Sequence, residues 1–354
     1  MKQFKKIGVL TSGGDAPGMN AAVRAVTRTA LAHGVEVVGI YRGYSGLIDK
    51  DIKEMTVRDV SNIMNRGGTA LYSDRCPEFK TEEGMQKAIA ACRELGIDGI
   101  VTIGGDGTLR GAADLTARGI PCIGIPGTID NDITSTENTI GFDTAMNTTL
   151  NMIDCLRDTC ESHARCNVVE VMGRNAGNLA VCTALASGAT AVIIAELPFD
   201  EEKLLNKIRA SRVLGKRNFI VVVSEGMGTE FGPALTERIE NETGVESRFA
   251  RFAHVVRGGT PTLRDRMLAS RMGEYAVECL LDGHSNVVIC ERGDELTYTD
   301  IGFALILDRM YKGKLKDGDL NAFTEEQINE MKAICAKKRE SIKNIAVSVD
   351  KIGL

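Results

Sequence analysis

The five residues Gly104-Gly105-Asp106-Gly107-Thr108 have the types and order that suit a nucleotide phosphate site. They follow an apolar run, Ile100–Ile103, and precede a helical pattern over Leu109–Arg118. Glycine lets the backbone turn sharply and approach a bulky anion, and a helix start offers unpaired N–H groups at the positive end of its dipole. Because the Asp106 carboxylate would repel a bare phosphate, we expect a divalent cation between them. The alternative is a tight turn whose Asp caps a helix.

A second glycine-rich loop, residues 11–20 with the sequence TSGGDAPGMN, follows the predicted strand Ile7–Leu10. Its glycines permit close approach of a phosphate, and Pro17 suits the start of the next helix. Such a loop taken alone also fits a simple chain reversal. No Walker A pattern occurs anywhere in the chain, so neither loop belongs to that class of phosphate site.

A third loop, Pro126-Gly127-Thr128-Ile129-Asp130-Asn131-Asp132, follows the predicted strand Cys122–Ile125. Its two carboxylates can divide the labour, one accepting a proton and the other holding metal or positioning the loop. An aspartate of ordinary basicity suffices when it accepts a hydroxyl proton while the bond to phosphorus forms. The alternative is a turn rich in Asp and Asn.

Arginines stand where they could bind phosphate oxygens, which their planar guanidinium groups match better than lysine does. Arg75 lies in a polar loop and Arg174 follows a predicted strand, whereas Arg165, Arg248 and Arg257 taken singly also fit solvated surface charges. Glu225, at a strand end, could accept hydrogen bonds from a sugar hydroxyl. Together these residues specify phosphoryl transfer to an alcohol, with catalysis by positioning and charge neutralisation.

Composition narrows the class of protein. The 354 residues exceed what one core usually holds, which favours two domains. A net charge of −5 argues against bulk nucleic-acid binding. There is no apolar run of membrane-spanning length and no signal-peptide pattern, so we expect a cytoplasmic protein. Ten scattered cysteines without C-x-x-C spacing indicate reduced thiols rather than a zinc site.

The elements that must position these loops alternate between apolar strands and helical stretches, which is the pattern of an α/β doubly wound fold. In such folds ligands bind where the strands end. The predicted strands, rich in Val and Ile, are Ile7–Leu10, Val35–Ile40, Ile100–Ile103, Cys122–Ile125, Val168–Met172, Ala191–Ala195, Phe219–Val223 and Asn286–Cys290. The main predicted helices are Met19–His33, Met85–Leu95 and Thr262–Leu281.

Two further features concern the domains. A second series of strands and helices begins near Cys166, so we predict a domain boundary near residue 140. Near the other end, Thr324-Glu325-Glu326-Gln327 is a capping box before a partial apolar stripe that includes Ile328 and Met331. We interpret this tail helix as a packing element or a subunit contact.

The three loops, together with Val169–Arg174 and Arg257-Gly258-Gly259, closely resemble bacterial ATP-dependent 6-phosphofructokinases, in order from about Lys6 to about residue 305. The resemblance implies two Rossmann-like three-layer α/β domains with mostly parallel sheets and the active site in the cleft between them. Residues 1–140 with about 255–305 would bind nucleotide and Mg²⁺. Residues 141–254 with a C-terminal segment would bind the sugar phosphate. Residues 322–354 would form a helical extension past the family's usual end.

The resemblance implies transfer of the ATP γ-phosphate to the 1-hydroxyl of fructose 6-phosphate, the committed step of glycolysis. Asp106 would hold Mg²⁺ and Asp130 would be the base. The contacts implied for ATP are Gly14, Arg75, Cys76, Gly105, Asp106, Gly107 and Thr108, with Tyr44 near the adenine. Those implied for the sugar phosphate are Thr128, Ile129, Asp130, Arg165, Met172, Gly173, Arg174, Glu225, Arg248, His254 and Arg257. The catalytic set would be Gly14, Arg75, Thr128, Asp130, Asp132 and Arg174.

The resemblance also implies a homotetramer in which Arg165 and Arg248 reach a neighbouring subunit's site. Members of the family bind allosteric effectors at a subunit interface, and the cations Arg24, Arg28, Arg157 and Lys216 match that site. Val57, Thr190 and Leu214 stand where an Arg, a Glu and a Lys are expected, so we predict a weakened or altered effector response. The family's usual Gln before the arginine corresponding to Arg257 is replaced here by Val256.

Donor choice is the main question inside the family. Pyrophosphate-using relatives tend to carry Asp at the position of Gly107 and Lys at that of Gly127. Both are glycine here, which favours ATP, because a carboxylate at 107 would repel its α-phosphate. Two alternatives remain: a pyrophosphate-dependent enzyme and a non-catalytic paralogue that senses nucleotide or sugar phosphate. The presence of Asp106, Asp130 and Asp132 speaks against the second.

Overall fold

The computed structural model of the chain describes residues 4–353, which form two compact units. The first unit contains the chain up to Ile129, Ile133–Thr144 and Arg257–Cys335. The second contains Asp130–Asp132, Ala145–Val256 and the chain from Ala336. The segment predicted as an extension, 322–354, therefore contributes to both units. The ligand assigned to each unit remains a prediction.

The first unit is built on a seven-stranded sheet in the order β11-β10-β5-β4-β1-β2-β3. Its strands are β1 (Lys6–Ser12), β2 (Glu36–Ile40), β3 (Ile52–Glu54), β4 (Gly99–Gly104), β5 (Cys122–Pro126), β10 (Val287–Arg292) and β11 (Glu295–Asp300). The inner strands pair in parallel, and only β3 and β11, at the two edges, pair antiparallel. β4 and β5 are buried along their whole length, as expected of inner strands covered on both faces.

The second unit has a four-stranded parallel sheet in the order β7-β8-β6-β9. Its strands are β6 (Cys166–Val171), β7 (Ala191–Ile193), β8 (Phe219–Ser224) and β9 (Ser247–Arg251). All eight predicted strands form, and the predicted α/β fold class is confirmed. Sequence analysis missed β3, β9 and β11, which all lie at sheet edges. Edge strands need no continuous apolar run, because one side faces away from the sheet.

Eleven helices flank the sheets in the described part of the chain. They are α1 (Met19–Ala32), α2 (Tyr44–Asp49), α3 (Glu82–Glu94), α4 (Asp106–Thr116), α5 (Phe142–His163), α6 (Asn178–Ala186), α7 (Glu201–Val213), α8 (Phe231–Thr243), α9 (Leu263–Leu281), α10 (Ile301–Tyr311) and α11 (Glu325–Ile352). Within residues 4–353, none is long and apolar enough to cross a membrane.

The start of α4 differs from its prediction. The helix begins at Asp106 rather than at Leu109, so Asp106, Gly107 and Thr108 form its first turn. The reason is that Gly105, with extended backbone, already provides the carbonyl that accepts from Thr108 N and Leu109 N. The metal-binding carboxylate predicted in a loop therefore stands on a helix.

The capping box predicted for the tail is present. Gln327 N donates to Thr324 Oγ1 at 3.2 Å, and Thr324 N donates to the Gln327 side chain at 3.0 Å. The first turns of α11 then pack on α10, where Met331 and Cys335 are buried with Phe303 and Leu307. The apolar stripe of the tail thus has a packing function within the first unit.

Candidate active site

The three predicted loops begin at adjacent positions, where β1, β4 and β5 end at the same edge of the first sheet. Ser12 at the end of β1 pairs with Gly104 at the end of β4, which pairs with Pro126 at the end of β5. Gly127 N donates to Gly104 O at 3.0 Å. The register of three parallel strands therefore brings together loops that lie far apart in sequence, at the edge where α/β folds bind ligands.

Thr108 joins the first two loops. Its hydroxyl donates to Ser12 O at 3.0 Å in a buried setting. A Cβ atom at Gly104 would lie 2.3 Å from Ser12 O and 2.4 Å from Thr108 Oγ1, so only glycine fits there. Gly104 is thus required because two protein segments approach each other closely at this position. The sequence alone predicted a different reason, the close approach of a ligand.

The first turn of α4 is open to an anion. Gly105 occupies the N-cap position, and no side chain among residues 4–353 caps the helix there. Thr108 N already donates to Gly105 O, whereas no described side chain caps the amides of Asp106 and Gly107, which lie at the positive end of the helix dipole. This arrangement suits a phosphate group.

Asp106, in that first turn, is paired with Arg110 one turn later. Arg110 Nε lies 3.1 Å from Asp106 Oδ2 and Arg110 Nη2 lies 3.3 Å from Oδ1. Both side chains are partly exposed. Sequence analysis did not single out Arg110, although its spacing of four residues from Asp106 was a usable signal.

The residues fit a magnesium ion of the kind that phosphate substrates bring. No cluster of three or more His, Cys, Asp or Glu side chains suitable for a metal exists in the part of the chain that the structure describes. Mg²⁺ typically needs only one or two protein carboxylates, because water and phosphate oxygens complete its shell. Asp106 is a partly exposed carboxylate that already holds a cationic partner, so its oxygens are placed to receive positive charge.

Tyr44 packs against the first turn of α4 and holds it by a hydrogen bond. Its hydroxyl donates to Thr108 O at 2.6 Å, and its ring stacks on Phe79 with centroids 4.0 Å apart. The side chain is almost fully buried, and burial raises the pKa of Tyr44 well above its ordinary value. The structure thus shows Tyr44 as a buttress of α4, and its predicted contact with adenine remains a prediction.

Two further predicted residues lie against the loop after β1. Arg257 Nη1 donates to Asp15 O at 3.0 Å, and a Cβ atom at Gly14 would lie only 2.5 Å from that nitrogen. Ser73, near Arg75, donates to Gly13 O at 2.7 Å. The loop that carries Arg75 and Cys76 is therefore tied to the glycine-rich loop. Arg75 itself is exposed.

The third loop is held at both ends by hydrogen bonds. Thr128 N donates to Ile140 O at 3.0 Å, and the Thr139 hydroxyl donates to Thr128 O at 2.5 Å. In the second unit, Asn178 Nδ2 donates to Asn131 O at 3.0 Å, with Asn131 in the left-handed region at φ 49°. Asp130 beside it is buried, with 6% of its surface exposed.

A turn after β6 carries Met172, Gly173 and Arg174. Gly173 has φ 141° and Arg174 has φ 59°, which for Arg174 is an unfavourable conformation. Glu225 Oε1 holds this turn by accepting from Gly173 N at 3.1 Å and from Arg174 N. The predicted contact of Glu225 with a sugar hydroxyl stays a prediction. Its hydrogen bonds to the turn at Gly173 and Arg174 are visible only in the tertiary structure.

Arg165 and Arg248, both predicted to serve a neighbouring subunit, meet on one carboxylate. Arg165 Nη2 lies 2.9 Å from Glu246 Oε1, and Arg248 pairs with the same oxygen. The hydrogen bond from Arg165 lowers the pKa of Glu246 below its ordinary value. Glu246 had not been predicted. His254, also predicted for the sugar phosphate, is exposed.

Comparison with known proteins decides the family. The sequence model described as phosphofructokinase matches residues 6–280. The chain belongs to the phosphofructokinase family. It is 50% identical over 325 residues to the ATP-dependent 6-phosphofructokinase of Bacillus pumilus, covering 91% of this chain and 99% of that relative. It is 52% identical over 300 residues to the enzyme of the same name from Bacillus subtilis, covering 84% and 93%. The resemblance stated from the motifs is confirmed.

A solved phosphofructokinase has the same fold. The structure from Saccharomyces cerevisiae matches with a TM-score of 0.83 at 32% identity, over 93% of this chain and 50% of the yeast chain. This chain therefore spans about half the length of the yeast phosphofructokinase chain. The agreement confirms the phosphofructokinase fold implied by the motif resemblance, and it is consistent with the α/β class predicted from the alternating strands and helices.

Proposed function

We propose that this phosphofructokinase transfers the γ-phosphate of ATP to the 1-hydroxyl of fructose 6-phosphate, giving fructose 1,6-bisphosphate and ADP. The observation that carries the proposal is the 50% identity to an ATP-dependent 6-phosphofructokinase over 99% of that enzyme's length. The aligned loops at the ends of β1, β4 and β5 support it, because glycine-rich backbone at the ends of parallel strands suits the phosphate groups of such a reaction.

In this proposal the first unit binds the donor. The open first turn of α4 receives phosphate oxygens, and the loop with Gly14 and the loop with Arg75 and Cys76 contribute further donors. When bound, Mg²⁺ would neutralise charge on the donor phosphates, with Asp106 as its protein ligand. Thr108 and Tyr44 keep this turn in place through the hydrogen bonds described above.

The second unit supplies the base and most of the groups for the sugar phosphate. Asp130 accepts the proton of the 1-hydroxyl as that oxygen attacks phosphorus, and Thr128 and Asp132 flank it. Arg174, on the turn held by Glu225, neutralises phosphate charge, and Met172 and Gly173 shape the same turn. Arg165, Arg248, His254 and Arg257 would bind the 6-phosphate, with Ile129 beside Asp130 in the same loop.

The reaction is tested by a coupled assay that compares ATP with pyrophosphate as donor and uses fructose 6-phosphate as acceptor. We expect turnover with ATP and little with pyrophosphate. Turnover with pyrophosphate alone would support the pyrophosphate-dependent alternative. Binding of both ligands without turnover would support the sensor alternative.

Donor selection is tested by Gly107→Asp. A Cβ atom at this position would meet no atom within 4 Å, so the variant should fold normally. Its carboxylate would stand beside the donor phosphates, and we expect kcat/KM for ATP to fall by about tenfold or more through like-charge repulsion. Gly107→Ala is the matched control without the charge. Equal ATP turnover by the two variants would contradict this account.

Gly127→Lys, the companion change, needs a stability measurement beside it. A Cβ atom at Gly127 would lie 2.9 Å from Met19 Cε and 3.3 Å from Ile103 Cγ2, both in the core. The larger side chain would displace these atoms and lower the melting temperature. The double variant Gly107→Asp with Gly127→Lys should also use ATP poorly, but part of that loss can come from lower stability. Only the part that Gly107→Asp reproduces alone is assigned to donor selection.

Loss of the Glu225 carboxylate should weaken sugar-phosphate binding through the turn that it holds. In Glu225→Ala the amides of Gly173 and Arg174 lose their acceptor, and we expect KM for fructose 6-phosphate to rise by about tenfold or more. In Glu225→Gln the side-chain oxygen still accepts these bonds, so the rise should be smaller. Steady-state kinetics at saturating ATP measure both, and equal effects of the two variants would assign Glu225 to charge rather than to positioning.

We further propose a cytoplasmic homotetramer in which Arg165 and Arg248 serve a neighbouring subunit's site. Their shared attachment to Glu246 would then orient both guanidinium groups together. Sedimentation analysis tests the assembly. A fully active monomer would contradict it, because its sites would lack two cations.

A further inference from the structure

The last turns of α11 lie on three lysines of the second unit, which we call the tail-facing lysines: Lys203, Lys207 and Lys216. The Asp350 carboxylate pairs with Lys203, and its Oδ1 lies 3.4 Å from Lys207 Nζ. Lys207 Nζ also donates to Asp350 O at 2.8 Å. Lys216 Nζ donates to Gly353 O at 3.2 Å. The end of the tail thus accepts hydrogen bonds or ion pairs from three ammonium groups.

These cations are crowded and partly removed from water. The Lys207 side chain is only 10% exposed. Burial lowers the pKa of Lys216, and the neighbouring charges of Lys207 and Arg157 lower it further. A group of like charges in such a place requires negative charge nearby. Asp350 and the carbonyl end of the α11 dipole supply it, and the ion pair with Lys203 lowers the pKa of Asp350.

The tail is fitted closely to this surface. Gly353 is buried, and a Cβ atom there would lie 2.2 Å from Ala189 O and 2.7 Å from Val349 O. Val349 is 1% exposed. Lys207 Nζ donates at the same time to Thr190 O at 2.8 Å, so the tail, residue 190 and the lysines form one contact region. The last turn is therefore docked rather than lying loosely on the surface.

We propose that the turn Val349–Gly353 is a tethered occupant of an anion-binding surface formed by the tail-facing lysines and Arg157. The diffusible ligand that the tail excludes is a compact polyanion, whose oxygens would take the place of the Asp350 carboxylate and the Gly353 carbonyl. Because the occupant is part of the chain, its effective concentration reaches the millimolar range, and a free anion must compete with it. Arg157 and Lys216 are two of the cations predicted for effector binding, so the tail gives a second reason for a weakened effector response.

The proposal is tested by titration calorimetry with inorganic pyrophosphate. Three chains are compared: the full chain, a chain ending at Asn344, and the full chain with Asp350→Asn. Each shortened or substituted chain is also made with Lys216→Ala. We expect the shortened chain to bind pyrophosphate at least tenfold more tightly than the full chain, with a smaller gain for Asp350→Asn. We expect Lys216→Ala to abolish both gains.

The matched control is Lys351→Gln, which changes a charge on the exposed side of the same turn and should leave binding as in the full chain. Equal affinities of the full chain, the shortened chain and Asp350→Asn would overturn the proposal, as would a gain that survives Lys216→Ala. Should the shortened chain fail to fold by circular dichroism, Asp350→Asn decides alone, because Asp350 is 45% exposed and its amide analogue keeps the same shape. The readout is binding, so the proposal stands or falls independently of the proposed reaction.

Discussion

Replacing Asp130 by Ser is expected to lower kcat by about 10²–10⁴-fold, the usual contribution of a general base. The attacking hydroxyl would then lose its proton acceptor, while the groups proposed to bind the sugar phosphate would remain in place. KM for fructose 6-phosphate should therefore change much less than kcat. Steady-state kinetics with saturating ATP, together with direct titration of fructose 6-phosphate, separate chemistry from binding.

The surroundings of Asp130 allow its substitution to be tested with little effect on the position of the loop. The residue is buried, and its neighbour Asn131 is held by Asn178, so the loop keeps its anchor when the side chain at 130 is shortened. Asn178→Ala is the matched control for loop positioning, and it should raise KM while reducing kcat less than Asp130→Ser. If Asp130→Ser retained a kcat within a few-fold of the parent, the assignment of the base would be wrong.

Replacing Asp106 by Ala is expected to reduce kcat/KM for ATP by about 10³-fold. The estimate follows from the several kcal/mol that a bound metal contributes to charge stabilisation, at about 1.4 kcal/mol per tenfold. The side chain stands in the open first turn of α4, and its removal should leave the fold intact because it is partly exposed. Titration of ATP with and without Mg²⁺ should show that the variant has lost the magnesium-dependent part of nucleotide affinity.

Arg110→Met is the informative companion, because it removes the guanidinium that occupies the Asp106 carboxylate and keeps the length of the side chain. We expect the magnesium concentration required for half-maximal ATP binding to fall, since a cation would no longer compete with Arg110. A magnesium-dependent ATP affinity in Asp106→Ala equal to that of the parent would remove Asp106 from the metal site.

The inner strands and the three loops that follow β1, β4 and β5 were predictable from the sequence, because they depend on contiguous residues. Val and Ile runs mark strands buried on both faces, and glycine-rich turns mark the positions where those strands end. The same reasoning failed at β3, β9 and β11, whose edge positions relax the apolar pattern. The start of α4 was predicted three residues too late, because its N-cap residue Gly105 has no side chain that signals a helix start.

The individual roles of site residues were less predictable. The binding of sugar by Glu225 stays a prediction, and the structure adds that Glu225 holds the turn at Gly173 and Arg174, 52 and 51 residues away in sequence. The contact of Tyr44 with adenine also stays a prediction, and the structure adds that its hydroxyl donates to Thr108 O. Arg110 and Glu246 were not considered at all. The contacts of Glu225, of Tyr44 and of Glu246 with Arg165 depend on the packing of distant segments. Asp106 and Arg110 instead meet because they lie one turn apart on α4.

By itself the sequence determined the family and the fold class, because short motifs specify the first and the periodicity of apolar residues indicates the second. Only the tertiary structure decided that Asp106 is paired with Arg110, that Arg165 and Arg248 share Glu246, and that the tail lies on three lysines. The physical reason is that contacts such as Arg165 with Glu246 and Lys203 with Asp350 join residues tens to hundreds of positions apart, while the pairing of Asp106 with Arg110 depends on α4 beginning at Asp106. Their geometry is set by the packing of whole elements, which no local pattern specifies.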